Sequence, residues 1–187
     1  KENDTVTNFF TININIYRTV VFLAAIIITY LTGIIEVTYQ SFQFIANKTV
    51  ALSLPATYHF VFVAVLLYFS SLFKKKEFTQ GILILTAVSI FMYIIGVYRL
   101  PTLENTDNYI YDTSYNYAFY LHYVLLGCLI YFGVELVRKT IDTFSIRPTQ
   151  GKTLTWIFAF IIVFVLSNEI MIHSLYLWND IDVGDFK

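Results

Sequence analysis

A glutamate and a histidine four residues apart, Glu169 and His173, stand in the last turns of a long apolar run. On the helix that such a run must form, that spacing puts both on one face. A carboxyl and an imidazole so placed beside lipid can share a proton or hold a cation, and ionisable groups at such depth are functional candidates by default. At about 1.5 Å per residue, Glu169 lies about 20 Å along a helix that starts near Leu154, still inside the apolar band. Its neighbour Asn168 is polar too. The plainer role for this glutamate is structural, protonated or hydrogen-bonded to Tyr and Ser of a neighbouring helix. Glu36 closes the first apolar run, close enough to water for simple interfacial exposure. Glu169, His173 and Glu36 are the catalytic candidates.

His59, His122 and His173 are three imidazoles, the number found in zinc sites that leave one position open. No His-x-x-x-His or Glu-x-x-His pair lies within one helix, so a metal site would require three helices to meet. His59 and His122 stand at similar depth on the second and fourth apolar runs, where two helices could hold a haem. The seven glycines are scattered and form neither GxxxxGK[ST] nor GxGxxG, and Ser-His-Asp catalysis has no local signature. Cys128 is the single cysteine, so no intramolecular disulfide or cysteine-based metal site can form. The sequence calls for no cofactor.

The elements that position these residues follow from composition. Of 187 residues, 57% are hydrophobic, 19% aromatic and 13% charged, whereas a soluble domain carries roughly 25% charged residues. The net charge is -1, with no basic surplus for nucleic acid. The bilayer is the solvent. A crossing helix needs about 20 mostly apolar residues, and five such runs occur, near 19–35, 58–73, 81–98, 118–137 and 154–176. Pro55 precedes the second, and Arg99 with Pro101 stops the third. Lipid satisfies no backbone polar group, so these are helices unless they close a barrel. Runs such as 21–28 and 157–165 lack the alternation a barrel requires. The expected fold is all-α, a polytopic transmembrane helical bundle within a single domain spanning 1–187.

Five crossings put alternate loops on opposite sides. One side holds Lys1, Arg18, Lys74, Lys75, Lys76, Arg138, Lys139, Arg147 and Lys152; the other holds Lys48, Arg99 and Lys187. Positive-inside bias places the N-terminal end in the cytoplasm and the C-terminal end outside. The basic groups set topology and could also attract anionic headgroups. By this orientation His59, Arg99, His122, Glu169, His173 and Glu36 all fall toward the outer leaflet. The outer loop 103–120 interleaves Glu104, Asp107 and Asp112 with Tyr109, Tyr111, Tyr115, Tyr117 and Tyr120. Such a loop is an interfacial aromatic belt, or a surface that stacks sugars or a peptide. Two Asn-x-Thr sequons, at Asn3 and Asn47, fall on opposite sides. The polar start at Lys1 and the acidic stretch 180–187 suggest a segment of a longer chain.

Residues 27–33 followed by Glu36 echo residues 162–168 followed by Glu169, both an apolar helix, a small polar step and a glutamate. In these paired endings, Leu31-Thr32-Gly33-Ile34-Ile35-Glu36 and Val165-Leu166-Ser167-Asn168-Glu169, the chain resembles the bacterial polytopic membrane proteins of the domain-of-unknown-function 2339 group. The resemblance spans all five helices and carries over no functional residue. It implies a part of a longer, many-helix protein of the bacterial inner membrane with no assigned reaction. The function expected is that of a non-enzymatic or structural part of such an array, with the bilayer and other helices of the same longer chain as partners and no nucleic acid. The alternatives are an envelope lipid-linked glycosyl or acyl transferase, or a transporter, using outward-facing Glu and His residues.

Overall fold

The computed structural model describes residues 14–73, 75–144 and 148–177. The 1–13 segment with its sequon, Lys74, Arg147 and the acidic stretch from 180 lie outside them. Six α-helices follow in order: α1 (Ile14–Phe44), α2 (Lys48–Phe73), α3 (Lys76–Ile95), α4 (Leu100–Tyr111), α5 (Tyr117–Phe144) and α6 (Pro148–Leu177), with one 3-10 turn at Val97–Arg99. All but α4 are long and apolar enough to cross a membrane. The chain is an all-α, multi-pass membrane bundle.

Each long helix except α1 buries one stripe. On α3 the buried positions are Thr79, Ile82, Leu83, Thr86, Ser89, Ile90 and Tyr93, a repeat of three and four residues that keeps one face inward. The same spacing runs along α5 through Ala118, His122, Leu125, Leu129 and Phe132, and along α6 through Val165, Asn168, Glu169 and Ile172. Central α2 packs against α1, α3, α4 and α5, while α6 rests on α5 and α4. Phe60 of α2 joins three helices, stacking on Phe132 of α5 with ring centroids 5.8 Å apart and meeting Tyr93 of α3 edge-on at 6.3 Å. Small residues permit the closest approaches. A Cβ on Gly33 would lie 2.0 Å from the Tyr58 hydroxyl, and one on Gly133 would lie 2.3 Å from the Phe158 ring. Outward faces present Ile84, Phe91, Ile95, Phe160 and Ile170. Lipid can cover such surface without loss, so no second layer of protein is required.

The helices extend past the apolar runs. α2 begins ten residues before Tyr58, because Asn47 Oδ1 accepts the Thr49 and Val50 N–H groups at 2.8 and 3.1 Å and caps the first turn. Pro55 therefore lies inside α2, where it leaves the Ala51 carbonyl without its usual donor, rather than before it. α1 likewise continues beyond Glu36 to Phe44. The stop expected at Pro101 is a start: α3 ends at Ile95, and Pro101 lies in the first turn of α4, where its missing N–H costs no hydrogen bond.

The 103–120 segment, expected to be an outer loop, is accordingly not a loop throughout. It folds as α4, a short turn with Asp112 in the left-handed region at φ 50, and the start of α5. Two polar side chains hold it. Asn108 donates to the Tyr115 carbonyl at 2.6 Å and accepts from Tyr115 N at 3.0 Å and the Thr113 hydroxyl at 2.9 Å. Fully buried Glu104 accepts the Ala118 and Phe119 N–H groups at 2.9 and 3.0 Å, placing a carboxylate on the N-terminus of α5. Tyr109, Tyr111, Tyr117 and Tyr120 remain exposed around this support.

At the opposite end Lys139 is also buried. It meets Glu135 at 3.6 Å and donates to Ser71 across the α5–α2 interface, while Arg138 pairs with Glu135 at 2.9 Å. Lys139 is thus committed to a partner within the bundle.

Candidate functional site

The buried stripes of α5 and α6 face each other near their α4 ends, which brings His122 and Glu169 together. Nε2 of His122 and Oε1 of Glu169 share a hydrogen bond, the two side chains being only 1% and 11% exposed. One turn later His173 lies on the same face of α6. Its Nδ1–H donates to the Glu169 carbonyl at 2.8 Å and lies 3.7 Å from Glu169 Oε2. With Nδ1 protonated, Nε2 is the acceptor for the Tyr123 hydroxyl at 2.8 Å. The buried pair is therefore linked to a half-exposed imidazole and a tyrosine at the bundle surface.

Tyr93 of α3 closes the third side. Its ring centroid lies 6.3 Å from that of His122, and its hydroxyl is within electrostatic reach of Glu169 and Asn168. Among the described residues, Tyr93 Oη, His122 Nδ1 and Asn168 Nδ2 are buried without a well-formed hydrogen bond, Tyr93 and Asn168 lying against each other. Orphaned buried polar atoms are rare in native structures.

His59 belongs to a different arrangement. The Ser89 hydroxyl donates to the Leu85 carbonyl at 2.9 Å, so its oxygen accepts from His59 Nε2–H at 3.0 Å. His59 Nδ1 then accepts from the Tyr30 hydroxyl at 2.9 Å. This chain runs Tyr30 to His59 to Ser89 to Leu85 and ties α1, α2 and α3 together with both imidazole nitrogens in use. Beside it opens a cleft of about 550 Å³, lined by apolar side chains such as Ile34, Leu52 and Ile95.

Of the residues singled out by sequence, Glu169, His173 and His122 meet, whereas His59 and Glu36 do not join them. Exposed Glu36 accepts from Gln40 at 2.7 Å one turn along α1, so the two glutamates of the internal echo occupy opposite environments. Arg99 is exposed and bonded to Tyr98. Among the described residues no three His, Cys, Asp or Glu side chains are grouped so as to hold a metal ion, and the three imidazoles do not converge. An outward-facing Glu and His cluster, the requirement of the transferase and transporter readings, does not form among them. His122 and Glu169 point into the bundle because they occupy its buried stripes.

Sequence reasoning missed Tyr30, Ser89 and Tyr93. A signal exists for two of them: Ser89 and Tyr93 are one turn apart and define a polar-tipped face within an otherwise apolar helix. Nothing in the sequence alone says which histidine each faces. Compared with family models, with characterised proteins and with solved structures, the chain matches none.

Proposed function

We propose that the protein is a non-enzymatic helical scaffold of the bacterial envelope membrane, part of a larger helical array, with its N-terminal end in the cytoplasm. The observation that carries this reading is where the buried polar side chains spend their bonds. His122 with Glu169, the Tyr30–His59–Ser89 chain, Lys139 with Ser71, and Glu104 with the α5 amides each join one helix to another. Interhelical polar bonds of this kind hold membrane bundles together where the hydrophobic effect cannot. The clefts at Tyr30 and at Phe22 have mainly apolar walls, which suits lipid chains or helices rather than a polar substrate. α1 supports the array: it packs on α2 alone among its principal neighbours, and the apolar window of its span has no buried residue, leaving its flank available to further helices.

The test is the Glu169→Gln variant in cells lacking the native gene. Glutamine keeps an acceptor for His122 and removes the charge. A scaffold is expected to retain both thermal stability in detergent and the wild-type cellular phenotype. Normal stability combined with the phenotype of the deletion would rule the scaffold reading out and assign the carboxyl a chemical task.

A further inference from the structure

We propose that Tyr93, His122, Asn168 and Glu169 form a buried proton-binding site that exchanges with solvent through His173 and Tyr123. Glu169 and His122 are two bases joined by one hydrogen bond. With a single proton between them the pair carries no net charge, whether the carboxyl or the imidazole holds it, and this is the form a low-dielectric interior favours. Loss of that proton leaves a carboxylate. The groups beside it are suited to this state, since Asn168 Nδ2 and the Tyr93 hydroxyl are buried donors that interact with each other and make no well-formed hydrogen bond elsewhere. Donors of this kind suit a site whose charge becomes negative, and are the wrong chemistry for ligating a cation.

The geometry also supplies a route. Loading begins when the Tyr123 hydroxyl passes its proton to His173 Nε2, 2.8 Å away. The Nδ1 proton of His173, held by the Glu169 carbonyl at 2.8 Å, transfers to Glu169 Oε2 once rotation of the carboxyl closes the 3.7 Å between them, and a solvent hydronium restores the tyrosine proton. Two O–H bonds, of Tyr123 and hydronium, and one N–H bond break; one N–H bond and two O–H bonds, of Glu169 and Tyr123, form; water is released and His173 is left with its proton on Nε2. Release is the reverse. The surroundings contain few other ionisable groups. α3 presents Tyr93, α5 presents Tyr123, and α6 presents His173; α4 presents Glu104, already bonded to the Ala118 and Phe119 amides, while α2 contributes the Phe60 ring.

Nitrogen NMR of the full chain, ¹⁵N-labelled at histidine and held in lipid bicelles, tests the site directly. The His122 ring nitrogens are expected to shift with buffer pH, while those of His59, bonded at both ends, report an intact fold. In His173→Phe, which keeps a ring against Phe119 and Tyr123, proton exchange at His122 should slow by about tenfold as its shuttle is lost. A His122 signal that ignores pH beside a native His59 signal would overturn the proposal, and would leave the scaffold reading standing. Exchange as fast in His173→Phe as in the native chain would overturn it equally, by removing the route.

Discussion

Glu169→Ala is expected to lower the unfolding temperature in detergent by about 4 to 8 °C, corresponding to about 2 kcal/mol for a chain of this size. The loss has a definite source. Alanine removes the one partner of His122 Nε2 in a ring that is 1% exposed, and that ring already has its Nδ1 unpartnered. Interhelical polar bonds in membranes average less, because the separated helices find substitutes; here the imidazole stays enclosed by α3, α5 and α6, so the desolvation cost dominates. Glu169→Gln should recover most of the loss, since it restores an acceptor. Thermal unfolding of both variants checks this, and equal loss in alanine and glutamine would mean that the charge, not the bond, holds α6.

Glu104→Ala should be of similar size, about 2 kcal/mol. Its carboxylate accepts two α5 N–H groups that have no helical acceptor, Ala118 and Phe119, in a position with no solvent access. Removing it orphans both amides, and the favourable interaction of a negative charge with the helix N-terminus disappears with them. Glu104→Gln offers one carbonyl oxygen in place of two, so an intermediate loss is expected. Proteolysis across the 112–116 turn provides the local readout. Faster cleavage in the alanine variant, with α1 to α3 still protected, is the predicted pattern.

The five crossings were legible in the sequence because length and hydropathy alone decide whether a segment can enter lipid. Helix ends were not. Hydropathy marks where lipid stops, whereas a helix continues until its hydrogen bonding is interrupted, which is why α1 passes Glu36 and α2 starts at the Asn47 cap. α4 was hidden for the opposite reason: it is a polar helix, and Pro101 reads equally as a terminator or as a first-turn residue. At the site, the 169 and 173 pair could be placed on one helix face from spacing. The union of His122 with Glu169, rather than with His59, depends on α5 lying against α6 while α2 turns His59 toward α1 and α3. That is information about helix order, which local sequence does not hold. Phe60 and Phe132, which stack at the centre of the bundle, likewise look no different in sequence from Phe91, which faces outward.

Cysteine accessibility in intact cells tests the central claim, a polytopic bundle with its tyrosine-rich end outside. In a Cys128→Ser background, which removes the single native cysteine, Lys75→Cys lies in the α2–α3 turn and Thr113→Cys in the α4–α5 turn. A membrane-impermeant maleimide is expected to label Thr113→Cys in intact cells and Lys75→Cys only after the membrane is opened. Labelling of both turns from the same side would contradict the bundle, and the reverse pattern would contradict its orientation.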